Sequence, residues 1–240
     1  MSRTIENLLA NSGLPGPRGN LELLYSFSKT ATEKEVKECL SYYTDTLSNS
    51  PEEFVVMCGI VGTAILNAEN PDLALSLIRK YASHSSWRIR EAVAIAVQEI
   101  SDPGNIQQII SILREWSRGN EFEQRAVVAA LCEPKLLKDP ATVKEVFRIL
   151  DRITSGFGTV TGKLTDAQTS LRKALGYGWS VAIVALPGPG KTCLEKLAQS
   201  DNKNIRWIVK ENLKKNRLAV MDKVWVEKMT GIISGEGTSM

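Results

Sequence analysis

Ser86-Trp87-Arg88-Ile89-Arg90-Glu91 is the stretch of this chain with the most suggestive chemistry. Trp87 and Glu91 are four residues apart and therefore share a helix face. A tryptophan face can hold a cationic base. A neighbouring carboxylate can stabilise positive charge that develops on a sugar as its bond to the base breaks. The same spacing also describes a tryptophan partly packed between repeats beside a solvated glutamate. Hydrolytic alternatives are few. His84 is the only histidine, so a His-rich metal site cannot be built and a Ser–His–Asp triad would rest on one side chain. Its position suits the start of a helix over 86–100. Cys39, Cys58, Cys132 and Cys193 lie far apart, with no paired spacing. They read as small buried hydrophobes in a reducing compartment. No metal and no cofactor are expected.

Ala185-Leu-Pro-Gly-Pro-Gly-Lys191-Thr192 resembles a phosphate-cradling loop with alanine in place of its first glycine. Such a loop needs a strand before it and a parallel sheet around it, so that amides and a helix N-terminus converge on phosphate. The preceding apolar run, Val181 to Val184, continues a helical pattern, and no segment shows a strand pattern. The expectation is a proline-broken turn between two helices and no bound nucleotide. Gly156, Gly158 and Gly162 fit a nucleotide-binding turn poorly and read as a mobile loop.

The elements that must position these residues follow from a repeated pattern. Arg90, Arg125, Arg172 and Arg206 are each followed three and seven positions later by apolar residues: Val93 and Val97, Val128 and Cys132, Leu175 and Trp179, Val209 and Leu213. The arginines are 35, 47 and 34 residues apart, a period that predicts an all-α, HEAT-like superhelix of stacked antiparallel helix pairs. Caps and prolines mark the helix starts. Thr32 with Glu35, Ser50 with Glu53 and Thr165 with Gln168 have capping-box spacing. Pro51, Pro71, Pro103 and Pro140 sit where a first helical residue belongs. The predicted pairs are 33–48/51–67, 71–82/86–100, 104–118/121–132, 140–153/166–186 and 191–199/203–216, with a last helix from about 218. One long loop, Thr154 to Leu164, accounts for the 47-residue interval. Residues 1–30 are expected to form an N-terminal helical cap around a Pro/Gly turn, and 31–240 the repeat domain.

Composition sets broad limits. Hydrophobic residues make up 43% of the 240, enough for a core, and 30 Lys plus Arg against 27 Asp plus Glu permit a nucleic-acid partner without demanding one. The N-terminal stretch does not suit a signal peptide. The longest uncharged run, Ala174 to Gly190, is short for a membrane span and carries two prolines. A cytoplasmic protein with no membrane partner is expected. The arginines recur at one helical phase, and Lys173, Lys210 and Lys214 join them, so stacking would line Arg90, Arg125, Arg172 and Arg206 along one surface. Phosphate contacts need such a stripe. Arginines at this position in stacked repeats also pair with a neighbouring unit, which is the structural alternative.

Residues from about 80 to 216 resemble the DNA alkylation repair (AlkD-like) family of HEAT-like proteins, which remove alkylated bases without flipping them into a pocket. That family has a serine shortly before a tryptophan and an aspartate four residues after it, similar to Ser85 or Ser86, Trp87 and Glu91. Glu123-Gln124-Arg125-Ala126-Val127-Val128 resembles its Gln-Arg-Ala-Ala helix, whose arginine contacts DNA. Arg172-Lys173-Ala174-Leu175-Gly176-Tyr177 resembles its Lys-Ala-Ile-Gly-Trp helix, with Tyr177 where a second tryptophan stands. The resemblance implies double-stranded DNA as partner, excision of alkylated purines as activity, and Trp87, Glu91 and Tyr177 as catalytic residues. Glutamate for aspartate displaces the carboxylate by a methylene, and tyrosine is the weaker cation platform. The alternative from a different class is a non-catalytic HEAT-repeat scaffold that binds a protein partner.

Overall fold

A computed structural model describes residues 2–234. Among them are 13 α-helices and no strand, so the fold is all-α. In order they are α1 (Arg3–Ala10), α2 (Leu21–Thr30), α3 (Glu33–Leu40), α4 (Pro51–Leu66), α5 (Pro71–Ile78), α6 (Trp87–Ile100), α7 (Ile106–Trp116), α8 (Glu121–Leu131), α9 (Pro140–Ser155), α10 (Asp166–Ala185), α11 (Pro187–Ala198), α12 (Lys203–Leu213) and α13 (Asn216–Ser234). Short 3-10 turns follow α5 at Arg79–Ser83 and α9 at Gly156–Thr159. The chain forms two compact units that meet in sequence between Ile112 and Leu113.

In the first unit α4 is the central element, packed by α1, α2, α3, α5 and α6. Every residue from Glu53 to Ala64 is buried, as expected of a helix apolar on all faces. Gly59 and Gly62 allow α3 to approach closely. A Cβ at Gly59 would lie 2.9 Å from the Cys39 Cβ, and one at Gly62 would lie 2.7 Å from Val36. In the second unit α10 packs chiefly against α8 and α12, and secondarily against α9 and α11. All eight apolar companions of the four arginines are buried. Asn212 of α12, fully buried, ties α12 to α10: its Oδ1 accepts from the Ser180 N–H at 2.8 Å and its Nδ2 donates to the Leu175 carbonyl at 2.9 Å.

Most predicted boundaries fall within a few residues of these. Thr32–Glu35 and Thr165–Gln168 form reciprocal capping boxes, and Pro51, Pro71 and Pro140 open their helices. Four details differ. The helix expected over 33–48 stops at Leu40, because Ser41 and the polar residues to Asn49 divert backbone groups into local bonds, as when Ser41 Oγ donates to the Glu38 carbonyl. Pro103 precedes its helix, in a turn where Asp102 Oδ1 accepts from the Gly104 and Asn105 N–H groups. Gly156 lies in a 3-10 turn that buries Phe157 instead of an irregular loop. The fourth is the Gly188–Thr192 segment, which is helix and not a turn: α11 begins at Pro187 after a break at Leu186. Prolines in a first helical turn leave no hydrogen bond unmade. Gly190 is there for packing, since a Cβ would lie 2.8 Å from Phe147 Cζ and 2.9 Å from Ile183 Cα.

Candidate functional site

The catalytic candidates Trp87 and Glu91 lie on α6 of the first unit, one turn apart. Ser86 caps that helix: its Oγ accepts from the Arg88 N–H at 3.1 Å and donates to the carboxylate of Glu53. Glu53 is fully buried on α4, accepts from the Asn49 N–H at 2.8 Å, and pairs with Arg88 at 3.4 Å. Arg88 also donates to the Gly16 carbonyl at 2.5 Å. The first turn of α6 is thereby anchored to α4 and to the α1–α2 connection. Trp87, at the first position of that turn, remains 51% exposed, an exposure that suits a ring open to a ligand and equally a tryptophan partly packed between repeats. Its ring carries the Arg88 guanidinium 4.7 Å from its centroid. Glu91 is half-buried.

His84 helps start α6 as expected. Its Nδ1 accepts from the Ser86 N–H at 2.9 Å, and its Nε2 lies 2.9 Å from the Thr44 carbonyl. The imidazole therefore carries its proton on Nε2, donating to Thr44, in a buried position. Arg90 lies in the same corner, buried, with Nη1 donating to the carbonyls of His84 and Ser85 at 2.6 Å each. Its guanidinium is thus held by the turn that precedes its own helix.

The other candidates belong to the second unit. Arg125 is half-buried on α8. Arg172, Lys173 and Tyr177 lie on α10, Arg206 and Lys210 on α12, and Lys214 is the residue that caps the end of α12. Helices α10 and α12 approach closely at Gly176, which lets the indole of Trp207 lie against α10: a Cβ there would lie 3.0 Å from Trp207 Cζ3 and 3.1 Å from Glu211 Cβ. The Arg172 guanidinium stacks 4.4 Å from the Trp207 ring and donates to Asn204 Oδ1 at 2.9 Å. Arg206 donates to the Ile233 carbonyl at 2.6 Å. Lys173, Lys210 and Lys214 are exposed, and Lys214 pairs with Glu211 at 2.5 Å. Tyr177 is 39% exposed and has the Arg217 guanidinium 5.0 Å from its ring centroid.

Lys203, Trp207, Lys210 and Lys214 are spaced four, three and four residues apart, so they share one face of α12. The arginine pattern does not single out Trp207 or Lys203; the lysine spacing on α12 is the signal that could have found them. Beside Trp207 is a surface depression of about 310 Å³ lined by Asp201, Lys203, Arg206, Trp207, Lys210 and Ile233. Cations and an aromatic ring therefore converge here, where anionic and planar groups are favoured together.

Lys191, the lysine of the loop-like motif, is engaged elsewhere. Its ammonium pairs with Asp222 at 2.5 Å and sits 5.5 Å from the Trp225 ring. Asp222 has non-helical φ and ψ at a kink in α13, and its Oδ1 accepts from the Trp225 N–H at 3.0 Å, restarting the helix. The hydrogen bond from Lys191 holds the Asp222 carboxyl below its ordinary 3.8. Among the described residues no group of three or more His, Cys, Asp or Glu is placed to hold a metal, and no helix is long and apolar enough to cross a membrane.

The fold and the site define an all-helical chain with a basic, aromatic face on α10 and α12. No protein-family model, no curated protein and no solved structure matches it.

Proposed function

We propose that this is a DNA-binding, HEAT-like helical repeat protein of the alkylation-repair type, with the α10/α12 face of the second unit meeting the phosphate backbone. The observation that carries the reading is that Lys203, Arg206 and Lys210 line one depression with Trp207, whose ring stacks on the Arg172 guanidinium. Carboxylates are sparse there: Glu211 is held by Lys214, and Asp201 borders the depression. Surface pairs such as Lys214–Glu211 are worth little and yield readily to a polyanion. The order α8, α10, α12, each the second helix of a predicted pair and each packed on the next, supports the HEAT-like assignment within this unit. Charge reversal tests it. Lys203→Glu with Lys210→Glu should abolish gel shifts of a duplex at low salt, whereas Lys37→Glu on α3 should leave them unchanged. If wild-type protein shifts no duplex at low salt, the scaffold reading replaces this one.

A second activity, excision of alkylated purines, is supported by one specific observation: Trp87 stays half-exposed beside Glu91 on a turn anchored by a buried ion pair. One of its ring faces is shared with Arg88, so an alkylated base would use the other.

A further inference from the structure

We propose that the depression beside Trp207 is a slot for one unpaired nucleobase, so that the preferred ligand is duplex DNA with a single-stranded extension. This rests on the reading of the α10/α12 face as a DNA-binding surface and names the DNA form that face selects. Trp207 borders the depression, while Arg172, stacked on the same indole at 4.4 Å, is not part of its lining. The indole therefore carries a cation on one side and faces open volume on another. Its plane is set before any ligand arrives: Gly176 receives its edge, and Arg172 is itself held by Asn204. A preformed aromatic wall loses little conformational freedom on binding.

The volume and the charges fit one nucleotide. About 310 Å³ is at the low end of small-ligand clefts, which accommodates a base and its phosphate and little more. Lys203 and Lys210 lie on either side of Trp207 along α12, one turn before it and one after, where the phosphates flanking a stacked base would run. Asp201 supplies a carboxylate acceptor for a base N–H. A paired base inside a duplex offers neither its flat face nor its pairing edge, so an intact duplex leaves the slot empty. Stacking on an aromatic ring with cations along the backbone is the general means of holding single strands, and it is tolerant of sequence.

The experiment compares a blunt duplex with the same duplex bearing a three-nucleotide overhang, by fluorescence anisotropy at one salt concentration. The wild type should bind the overhang form at least about five times more tightly, as expected for stacking of one base. In Trp207→Ala that ratio should fall to about one, and in Trp207→Phe, which keeps a ring and the packing on Gly176, most of it should remain. Circular dichroism melting confirms that each variant is folded. Equal affinities in the wild type, or a preference that survives Trp207→Ala, would overturn the slot while leaving DNA binding intact. Absence of binding to either DNA would overturn both readings.

Discussion

Glu91 concentrates the catalytic question in one side chain. On α6 it lies one turn from a half-exposed tryptophan, and the proposed excision assigns it the charge that forms on the sugar. Glu91→Gln preserves size and hydrogen bonding and removes the charge. It should lower release of 7-methylguanine from methylated duplex by a factor of roughly a hundred or more, the scale of a lost transition-state electrostatic contact. Glu91→Asp should raise release, by moving the carboxylate back by one methylene. Equal release from Glu91→Gln and wild type would remove this residue from the chemistry. Asp222 makes a prediction about pH. Its carboxyl is lowered by the Lys191 hydrogen bond, so its contribution to stability is present above the ordinary carboxyl value and is lost as pH falls through the lower folded value. Asp222→Asn keeps a helix-capping side chain and loses the charge. The difference in melting temperature between wild type and Asp222→Asn should therefore shrink on going from about pH 6 to about pH 2.5. A constant difference would mean the ion pair is not what holds α11 to α13.

At the scale of elements, the first turn of α6 depends on α4, from which α5 and a 3-10 turn separate it in sequence. Glu53 lies at 0% exposure and serves Ser86, Arg88 and Asn49 together. Glu53→Ala would leave Arg88 buried without its partner, which costs about 3–5 kcal/mol. Urea unfolding should report a loss of that size, and a loss under about 1 kcal/mol would place the pair in the class of exposed bridges instead. Helix starts were the most legible elements in the sequence, because a cap is a local bond between residues three apart: Thr32 and Thr165 announce α3 and α10 without help from the rest of the chain. Helix ends and breaks were less so. The stop of α3 at Leu40 combines local bonds, such as Ser41 Oγ to the Glu38 carbonyl, with a distant one, the Thr44 carbonyl being taken by His84 forty residues away. At the kink Asp222 makes two contacts, a local cap to the Trp225 N–H and an ion pair with Lys191 on α11, and only the first lies within reach of a sequence pattern. The Pro-Gly-Pro-Gly run read as a turn because those residues usually make turns, yet its glycine is required by the approach of Phe147 and Ile183.

For the whole molecule, the repeat of arginine with apolar residues at three and seven positions was enough to foresee an all-helical chain and to name the helices that carry the candidate residues. It could not foresee what each guanidinium would bind. Arg90 turns to the carbonyls of His84 and Ser85, Arg206 to that of Ile233, and Arg172 to an amide and an indole. The exposed charge of this face is on Lys173, Lys203, Lys210 and Lys214, and Trp207 shares the lysine spacing of α12, a signal separate from the arginine repeat. DNA binding by this face consequently should depend on lysine count and on salt far more than on base sequence.

That dependence is the most direct measure of the central claim. Duplex affinity of the wild type and of the triple variant Lys173→Ala, Lys210→Ala, Lys214→Ala should be followed as salt is raised, and the slopes of log affinity against log salt compared. With about 0.9 of slope per neutralised phosphate, the variant should be shallower by about two to three, across unrelated duplex sequences alike. Identical slopes, with wild-type binding intact, would show that DNA is held somewhere other than α10 and α12.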